Sequence, residues 1–378
     1  MENIAVYVAN CMTIVLMFMM IVVCKNKLYV NKKELKLINS LGVLILFSSF
    51  IEILIWASDG KIGPIWWFST HILNIYQFLA FPTIAYLWVI FLLLHLKHPL
   101  SLGKSLLLAI PLFIGYLLVF INIFVPFIFK IENEKYIRLG GYFIIFFIAV
   151  IYMIISLIFY FIIKIKSKEL IFFEAWIFVI PVLIGAIISL IAPFIPNMKA
   201  ISVIIPFCSI GFSGVIASIQ NETIYIDRLT KVYNRSFMDF YLTKKRKKSI
   251  MGIMLDINDF KNINDSYGHE VGDEAIINFA QALKKIVSTN GVVIRYAGDE
   301  FIILLNTIEK DEASLLISKI EAYLLVQKDE LRYPYDIKFS YGLSLYNPNF
   351  MSFDAFLNII DENMYYYKRL YHKETNKD

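Results

Sequence analysis

The chain has 378 residues, of which 58% are hydrophobic and only 18% are charged, and its mean hydropathy is +0.65. Soluble globular domains are about 45–50% apolar and about 25% charged, so this composition excludes a wholly soluble protein. The pI of about 8.8 does not indicate a nucleic-acid partner, because the basic excess lies in the apolar residues 1–220, which hold 15 basic and 8 acidic residues.

Residues 1–220 are predicted to form an all-α, multi-pass membrane domain. A bilayer span needs about 20 largely apolar residues. Seven runs meet this requirement, at roughly 3–23, 37–57, 65–95, 105–129, 140–163, 170–192 and 200–220. These runs lack the strict alternation of a membrane barrel, so helices are expected.

The short loops predict the orientation of these spans. Ten Lys residues lie on one side and five Lys or Arg residues on the other, and the richer side faces the cytoplasm. The N-terminus is then outside the cell membrane and residues 227–378 are cytoplasmic, joined through a short helical linker at 221–226. The lipid bilayer is the predicted partner of the first domain. The basic run at 244–248 is expected to be a solvated loop or, alternatively, a contact with anionic lipids.

The polar part of the chain begins with signals of a mixed α/β domain. A buried strand is predicted at 250–255, ending at Asp256. A polar turn follows, and then a helix at 273–287 with Asp273 at its N-terminus. Two further strands, at 292–296 and 301–305, flank a tight hairpin of Ala297, Gly298, Asp299 and Glu300.

Carboxylates mark the ends of these strands. We expect Asp256 and Asp299 to meet at adjacent strand ends. Two carboxylates, a backbone carbonyl and phosphate oxygens make a hard-oxygen site that suits Mg²⁺. Such a site is typical of nucleotidyl transfer, in which metal ions activate a 3′-hydroxyl and neutralise the leaving pyrophosphate.

Several ordered motifs between residues 227 and 373 agree with a single family. They are DRLT with NR at 227–235, DINDFKNINDSYGHEVGD at 256–273, AGDEF at 297–301, SYG at 340–342 and the segment 361–368. Together they resemble the GGDEF family of diguanylate cyclases. The resemblance implies that 227–378 is a palm-like α/β (α+β) domain with a central, mainly antiparallel sheet. It also implies that two GTP molecules are joined into cyclic di-GMP, with release of two pyrophosphates, by a homodimer that uses Mg²⁺ or Mn²⁺.

The resemblance further implies which residues bind metal and act in catalysis. Asp256 and Asp299 would bind the metal through their carboxylates, and Ile257 would bind it through its carbonyl. Glu300 would assist metal binding or deprotonate the attacking 3′-hydroxyl. Asp299 and Glu300 are therefore the expected catalytic residues.

Substrate contacts are implied in the same way. Backbone amides around Asp259 and Phe260, together with the side chains of Lys261 and Lys368, would hold the triphosphate. Asn264 and Asp273 would bind guanine, and the acceptor oxygens of Asp273 favour GTP over ATP. Ala297 and Gly298 would form the hairpin close to the nucleotide.

This sequence departs from the family pattern at several positions. Ala297 replaces the first glycine of the signature, and Asn258 replaces an aspartate. The basic residue expected one turn after Lys368 is missing, which leaves His372 or Lys373 as its substitute. The family's inhibitory product site, Arg-x-x-Asp, is represented here by Ser288 and Gly291, so no product inhibition through that site is expected.

Other interpretations remain open. The domain can be an inactive GGDEF domain that binds GTP only as a signalling module. The carboxylates can be ordinary turn residues. A third possibility is a receptor or transporter whose soluble part only scaffolds a partner, although the few intramembrane charges argue against transport.

Overall fold

The computed structural model describes residues 4–27, 31–133, 135–166, 173–191, 203–244, 249–331 and 333–375. The chain divides into two compact units, Met1–Asn221 and Glu222–Asp378. Each unit has its own hydrophobic core. The basic run predicted at 244–248 lies outside the described residues except for Lys244.

Helices dominate the first unit. Six described helices are long and apolar enough to cross a membrane: α1 (Ile4–Lys27), α2 (Lys32–Ser58), α3 (Pro64–His95), α4 (Leu102–Asn122), α5 (Tyr142–Lys166) and α7 (Ile204–Ile224). Between the last two, α6 (Trp176–Ile191) has 16 residues, fewer than the about 20 that a span needs. The predicted spans at 170–192 and 200–220 fall partly outside the described residues, so the number of seven stays a prediction.

Both the interior and the surface of this unit are apolar. Trp88 and Phe178 stack in the core with ring centroids 4.3 Å apart. On the opposite faces of the helices, large side chains such as Phe113 of α4 and Phe147 of α5 are exposed. A helix that is apolar all round is typical of a membrane span.

The first unit is not all-α, and this part of the prediction was wrong. Strands β1 (Phe129–Glu132) and β2 (Lys135–Arg138) form an antiparallel hairpin. The predicted helix at 105–129 ends at Asn122 instead, because that side chain bonds to the following backbone. The Asn122 Oδ1 atom accepts from the amides of Phe127 and Ile128 at 2.7 and 2.6 Å. Asn side chains often compete with helical bonding in this way.

The second unit contains a five-stranded mixed sheet within its described residues, in the order β3-β5-β6-β4-β7. One pairing, β3–β5, is parallel and the other three are antiparallel. The α/β fold with a mainly antiparallel sheet is therefore confirmed. The strands are β3 (Tyr233–Asn234), β4 (Ile250–Ile257), β5 (Gly291–Ala297), β6 (Glu300–Leu305) and β7 (Phe339–Tyr346). The helices are α8 (Arg235–Lys244), α9 (Phe260–Tyr267), α10 (His269–Val287), α11 (Lys310–Leu331) and α12 (Phe353–Thr375).

Both faces of the inner strand β4 are covered. Successive side chains of a strand point to opposite faces, and Ile253, Leu255 and their alternates pack in the core with α10 and α11. On the other face, α12 lies very close to the sheet. A Cβ atom at Gly342 of β7 would lie 2.0 Å from the carbonyl oxygen of Ile360. A Cβ atom at Gly252 of β4 would lie 2.1 Å from the ring of Phe356.

Two predicted boundaries after β4 were wrong. The predicted polar turn contains α9, whose Ile263 is buried in a small cluster with Ala275 and Tyr335. The helix predicted from residue 273 begins four residues earlier, at His269, so Asp273 lies inside α10. Gly268, with φ of 88°, separates the two helices. Tertiary packing of Ile263 therefore overrides the turn preference of the Asn and Asp residues around it.

Candidate active site

Asp256 lies at the carboxyl end of β4, directly opposite Glu300 of β6 and Ser340 of β7. Opposite residues on neighbouring strands share a face of the sheet, here the face covered by α12. Asp256 is only 5% exposed. The Lys368 Nζ atom of α12 lies 2.5 Å from Asp256 Oδ1. The close packing of α12 on Gly252 and Gly342 thus brings this ammonium group onto the carboxylate.

The β5–β6 hairpin places the other two predicted carboxylates. Gly298 has φ of 41°, in the left-handed region that favours glycine. Ala297 is the last residue of β5, pairs with Glu300, and is not among the residues with positive φ. The replacement of the first signature glycine by Ala297 therefore needs no unusual backbone conformation. Asp299 follows Gly298 and is half-buried.

Arg295 ties this hairpin to the start of the domain. Its Nε donates to the carbonyl of Gly298 at 2.9 Å, and its Nη1 donates to Asp227 Oδ1 at 3.1 Å. Asp227 also accepts from the amide and hydroxyl of Thr230 at 2.9 and 2.7 Å. Burial alone would raise the pKa of Asp227, but the bonds from Thr230 and the charge of Arg295 outweigh burial and lower it.

The carboxylates of the site repel one another in a poorly solvated place. Burial raises the pKa of Asp256, and the charge of Asp299 raises it further, although Lys368 opposes both effects. Burial likewise raises the pKa of Glu300, with contributions from Asp256, Asp299 and Asp361. Carboxylates held together against their repulsion are typical of sites that bind a cation or transfer a proton.

The donor set fits a hard cation only in part. No three His, Cys, Asp or Glu side chains of the described residues form a complete ligand group. Asp256 nevertheless supplies carboxylate oxygens at the end of β4, where Ile257 is the last residue. Asp299 lies in the hairpin directly before Glu300, which pairs with Asp256. Strand β4 pairs with β6 only as far as Asp256, one residue before Ile257. Phosphate oxygens of a nucleotide would complete the coordination, as Mg²⁺ commonly requires.

The predicted triphosphate residues gather where α9 begins. Asp259 has φ of 54° and precedes α9, and its side chain forms no capping bond to the helix amides. Free amides at a helix N-terminus attract phosphate. Lys261 is exposed in the first turn of α9. Of the two candidates for the missing basic residue, His372 lies near this point, with Nδ1 3.9 Å from Asp259 Oδ1.

The predicted guanine residues lie on two consecutive helices. Asn264 of α9 is half-buried, and its side chain lies against Gly272 of α10. A Cβ atom at Gly272 would lie 1.9 Å from Asn264 Oδ1, so the position of Asn264 requires a glycine there. Asp273 is the next residue and is exposed.

Sequence reasoning did not assign a role to Arg295, Gly272 or Asp361. The first two act through contacts that appear only in the folded chain. Asp361 was noted only as the start of a family segment, although it lies seven residues before Lys368 and so shares its helix face. Asn258 is buried, and its Oδ1 accepts from the Ser340 hydroxyl at 2.7 Å.

Comparisons with known proteins match the second unit of the chain. Residues 224–373 match the family model described as "Diguanylate cyclase, GGDEF domain". The chain is 38% identical over 97 residues to the probable diguanylate cyclase DgcF of Escherichia coli K12, covering 25% of this chain and 31% of DgcF. It is 28% identical over 159 residues to the diguanylate cyclase DosC of the same strain, covering 40% of this chain and 34% of DosC. The chain thus spans about a third of the length of these curated relatives.

Among solved structures, the chain is similar to the coiled coil and GGDEF domain of DgcB from Caulobacter crescentus in complex with c-di-GMP. The TM-score is 0.37 and the identity 23%, covering 39% of this chain and 83% of that chain. From the family match and the curated relatives, residues 224–373 are a GGDEF domain.

Proposed function

We propose that this protein is a membrane-bound diguanylate cyclase, which condenses two GTP molecules into cyclic di-GMP and two pyrophosphates. The observation that carries the proposal is the alignment of Asp256 with Glu300 beside the hairpin carboxylate Asp299. This acidic group lies in a domain that matches the GGDEF family. The curated relative DgcF is named a probable diguanylate cyclase, and DosC is named a diguanylate cyclase.

In this proposal, GTP binds along α9 and the start of α10. Asn264 and Asp273 contact guanine, and the carboxylate of Asp273 accepts from its N–H groups. The amides at Asp259 and Phe260 and the ammonium of Lys261 bind the triphosphate. Ala297 and Gly298 let the hairpin backbone approach the nucleotide closely.

A divalent cation, Mg²⁺ or Mn²⁺, would be held by the carboxylates of Asp256 and Asp299, the carbonyl of Ile257 and phosphate oxygens. Bound there, it would supply positive charge against the reacting phosphates. Lys368 already neutralises Asp256 and so reduces the repulsion within the acidic group. In this proposal the ammonium of Lys368 also contacts the triphosphate.

Proton transfer is assigned to Glu300. Burial and three neighbouring carboxylates raise its pKa, and a raised pKa makes a carboxylate a better proton acceptor at neutral pH. Glu300 would take the proton of the 3′-hydroxyl as that oxygen attacks the α-phosphorus of the second GTP. The alternative role for Glu300 is to assist metal binding.

The reaction joins two nucleotides, each held by one domain, so we propose that the active form is a homodimer. Residues 1–220 would anchor the dimer as seven spans with the N-terminus outside, and 227–378 would be cytoplasmic. Helix α7 continues to Ile224, so the linker at 221–226 would transmit changes in the membrane region. Ser288 and Gly291 supply no Arg-x-x-Asp pair, and no product inhibition through that segment is expected.

The test uses purified full-length protein with GTP and Mg²⁺. We expect cyclic di-GMP from the wild type and none from an Asp299→Ala, Glu300→Ala variant that still binds GTP. An Asp265→Ala variant, which removes an exposed carboxylate outside the acidic group, serves as the control. If wild type and both variants bind GTP equally and none forms product, the domain is a GTP-binding signalling module.

A further inference from the structure

A groove of about 790 Å³ lies along an exposed face of α2 in the first unit. Most of its lining residues are three or four positions apart and therefore share one side of the helix. Tyr76 of α3 closes the groove on one side. Its ring packs edge-on against Phe47 at 5.2 Å, and its hydroxyl lies 3.4 Å from Ser48 Oγ.

The groove is cationic at one end and apolar at the other. Lys32 and Lys36 line the first end, and both are exposed. Val43 and Phe47 line the other end and are 53% and 46% exposed. None of the described residues that line the groove is acidic. Such a gradient matches an anionic amphiphile.

The nearest acidic residue in sequence does not neutralise the lysines. Glu34 lies between them in the chain but is only 8% exposed. Its Oε2 lies 3.1 Å from His95 Nδ1, and its other carboxylate oxygen contacts the Asn31 side chain. Within the part of the chain that the structure describes, Glu34 therefore leaves the positive charge of Lys32 and Lys36 available to a ligand.

The length of the groove matches one leaflet of a bilayer. Lys32 and Phe47 are separated by about 22 Å along the helix, at about 1.5 Å per residue. A bilayer is about 40–45 Å thick including headgroups, so one leaflet is about 20–22 Å. Asn39, between the two ends, has a buried Oδ1 without a hydrogen bond among the described residues. A hydroxyl of a lipid headgroup is the kind of donor that this acceptor lacks.

We infer that the groove is a binding site for one anionic phospholipid of the leaflet next to Lys32. Its phosphate contacts Lys32 and Lys36, and an acyl chain lies along Val43 and Phe47. Basic pockets between membrane helices bind anionic headgroups in this way. A second copy of the chain is a poor occupant, because a two-fold contact would bring both lysine pairs together. The inference rests on the proposed membrane insertion of this unit.

The experiment uses full-length protein in phosphatidylcholine vesicles that contain phosphatidylglycerol with a photoactivatable acyl chain. Labelling of Val43 and Phe47 is measured by peptide mass spectrometry and normalised to Phe147, an exposed residue of α5 outside the groove. We expect Lys32→Ala, Lys36→Ala to reduce the normalised labelling about tenfold or more, since each lysine near an anionic headgroup contributes about 1 kcal/mol. The variant Lys32→Arg, Lys36→Arg should retain labelling.

A matched control removes the same charge elsewhere. Lys33→Ala, Lys104→Ala changes two exposed lysines that do not line the groove, and labelling should stay unchanged. Equal losses in both pairs, equal labelling by a phosphatidylcholine analogue, or cross-links through Val43 to a second copy would each overturn the site. Absence of label at Phe147 as well would show that the unit is not in the bilayer, and would refute the membrane proposal together with the site.

Discussion

Gly272→Ala is expected to displace Asn264 from the position proposed for guanine binding. A methyl group at residue 272 would lie 1.9 Å from Asn264 Oδ1 and 2.9 Å from its Cγ. Non-bonded heavy atoms prefer separations of about 3.5–4.0 Å. Because Gly272 is fixed in α10, the Asn264 side chain must rotate away.

The size of the effect follows from the bonds that are lost. A side-chain hydrogen bond contributes about 0.5–1.5 kcal/mol, and an amide that contacts guanine through two bonds would contribute about 1–3 kcal/mol. That corresponds to a rise in the KM for GTP of about 5- to 150-fold. The alanine should otherwise favour the helix by about 0.5–1 kcal/mol.

A double-mutant cycle with Asn264→Ala tests this reasoning. Both single variants should raise the KM for GTP by similar factors, and adding Gly272→Ala to Asn264→Ala should change the KM no further. The double variant should also resist unfolding better than Asn264→Ala alone. Additive effects on KM, or a Gly272→Ala variant with an unchanged KM, would refute the proposed contact.

Three other variants test the surroundings of the site. Arg295→Ala removes the hydrogen bonds to Asp227 and Gly298. Because the hairpin would then be displaced, kcat should fall about tenfold or more. Arg295→Lys should restore little of the activity, because a lysine cannot form both bonds. Asp227→Asn should lower the free energy of unfolding, measured by hydrogen exchange at pH 7, by about 1–2 kcal/mol. Because folding lowers the pKa of Asp227, this deficit is present above its unfolded pKa and disappears as the pH falls through the folded pKa. Gly342→Ala should cost about 1–3 kcal/mol by pushing α12 away from β7.

Each of these variants has an outcome that contradicts the structural argument. An Arg295→Ala enzyme with wild-type kcat would show that the hairpin does not depend on this link. A deficit of Asp227→Asn that does not shrink as the pH falls below the unfolded pKa would show that the ionised carboxylate is not its cause. Unchanged exchange in α12 of Gly342→Ala would show that the helix tolerates the added methyl group.

The sequence was most informative where local chemistry and tertiary packing agree. The apolar run at 250–255 lies in a strand covered on both faces, so its continuous hydrophobicity is the expected pattern. The hairpin was predicted correctly because Gly298 meets the positive φ that its turn needs. The two carboxylates after that glycine, Asp299 and Glu300, then suggested that this hairpin would meet the end of the strand at Asp256.

Boundaries failed where a single side chain has contacts distant in sequence. Helix α9 was taken for a turn because Asn, Asp and Ser make up half of its sequence, whereas buried Ile263 holds it against Ala275. The helix at 105–129 was extended too far because apolar content alone does not reveal how Asn122 bonds to the next segment. For the same reason, the prediction missed the β1–β2 hairpin that follows Asn122.

Contacts between remote residues could not be predicted from one sequence. Nothing local connects Arg295 with Asp227, which are 68 residues apart. The bond between Lys368 and Asp256 joins residues 112 positions apart. His372 and Lys373 were equivalent candidates in the sequence, and only the direction of the α12 face places His372 near Asp259.

The most direct test of the cyclase proposal is the stoichiometry and concentration dependence of product formation by the full-length protein. With GTP and Mg²⁺, we expect two pyrophosphates for each cyclic di-GMP, and a specific activity that rises with protein concentration because two copies must meet. Removal of the cation with EDTA should abolish product. Tight GTP binding without cyclic di-GMP at any protein concentration would contradict the proposal.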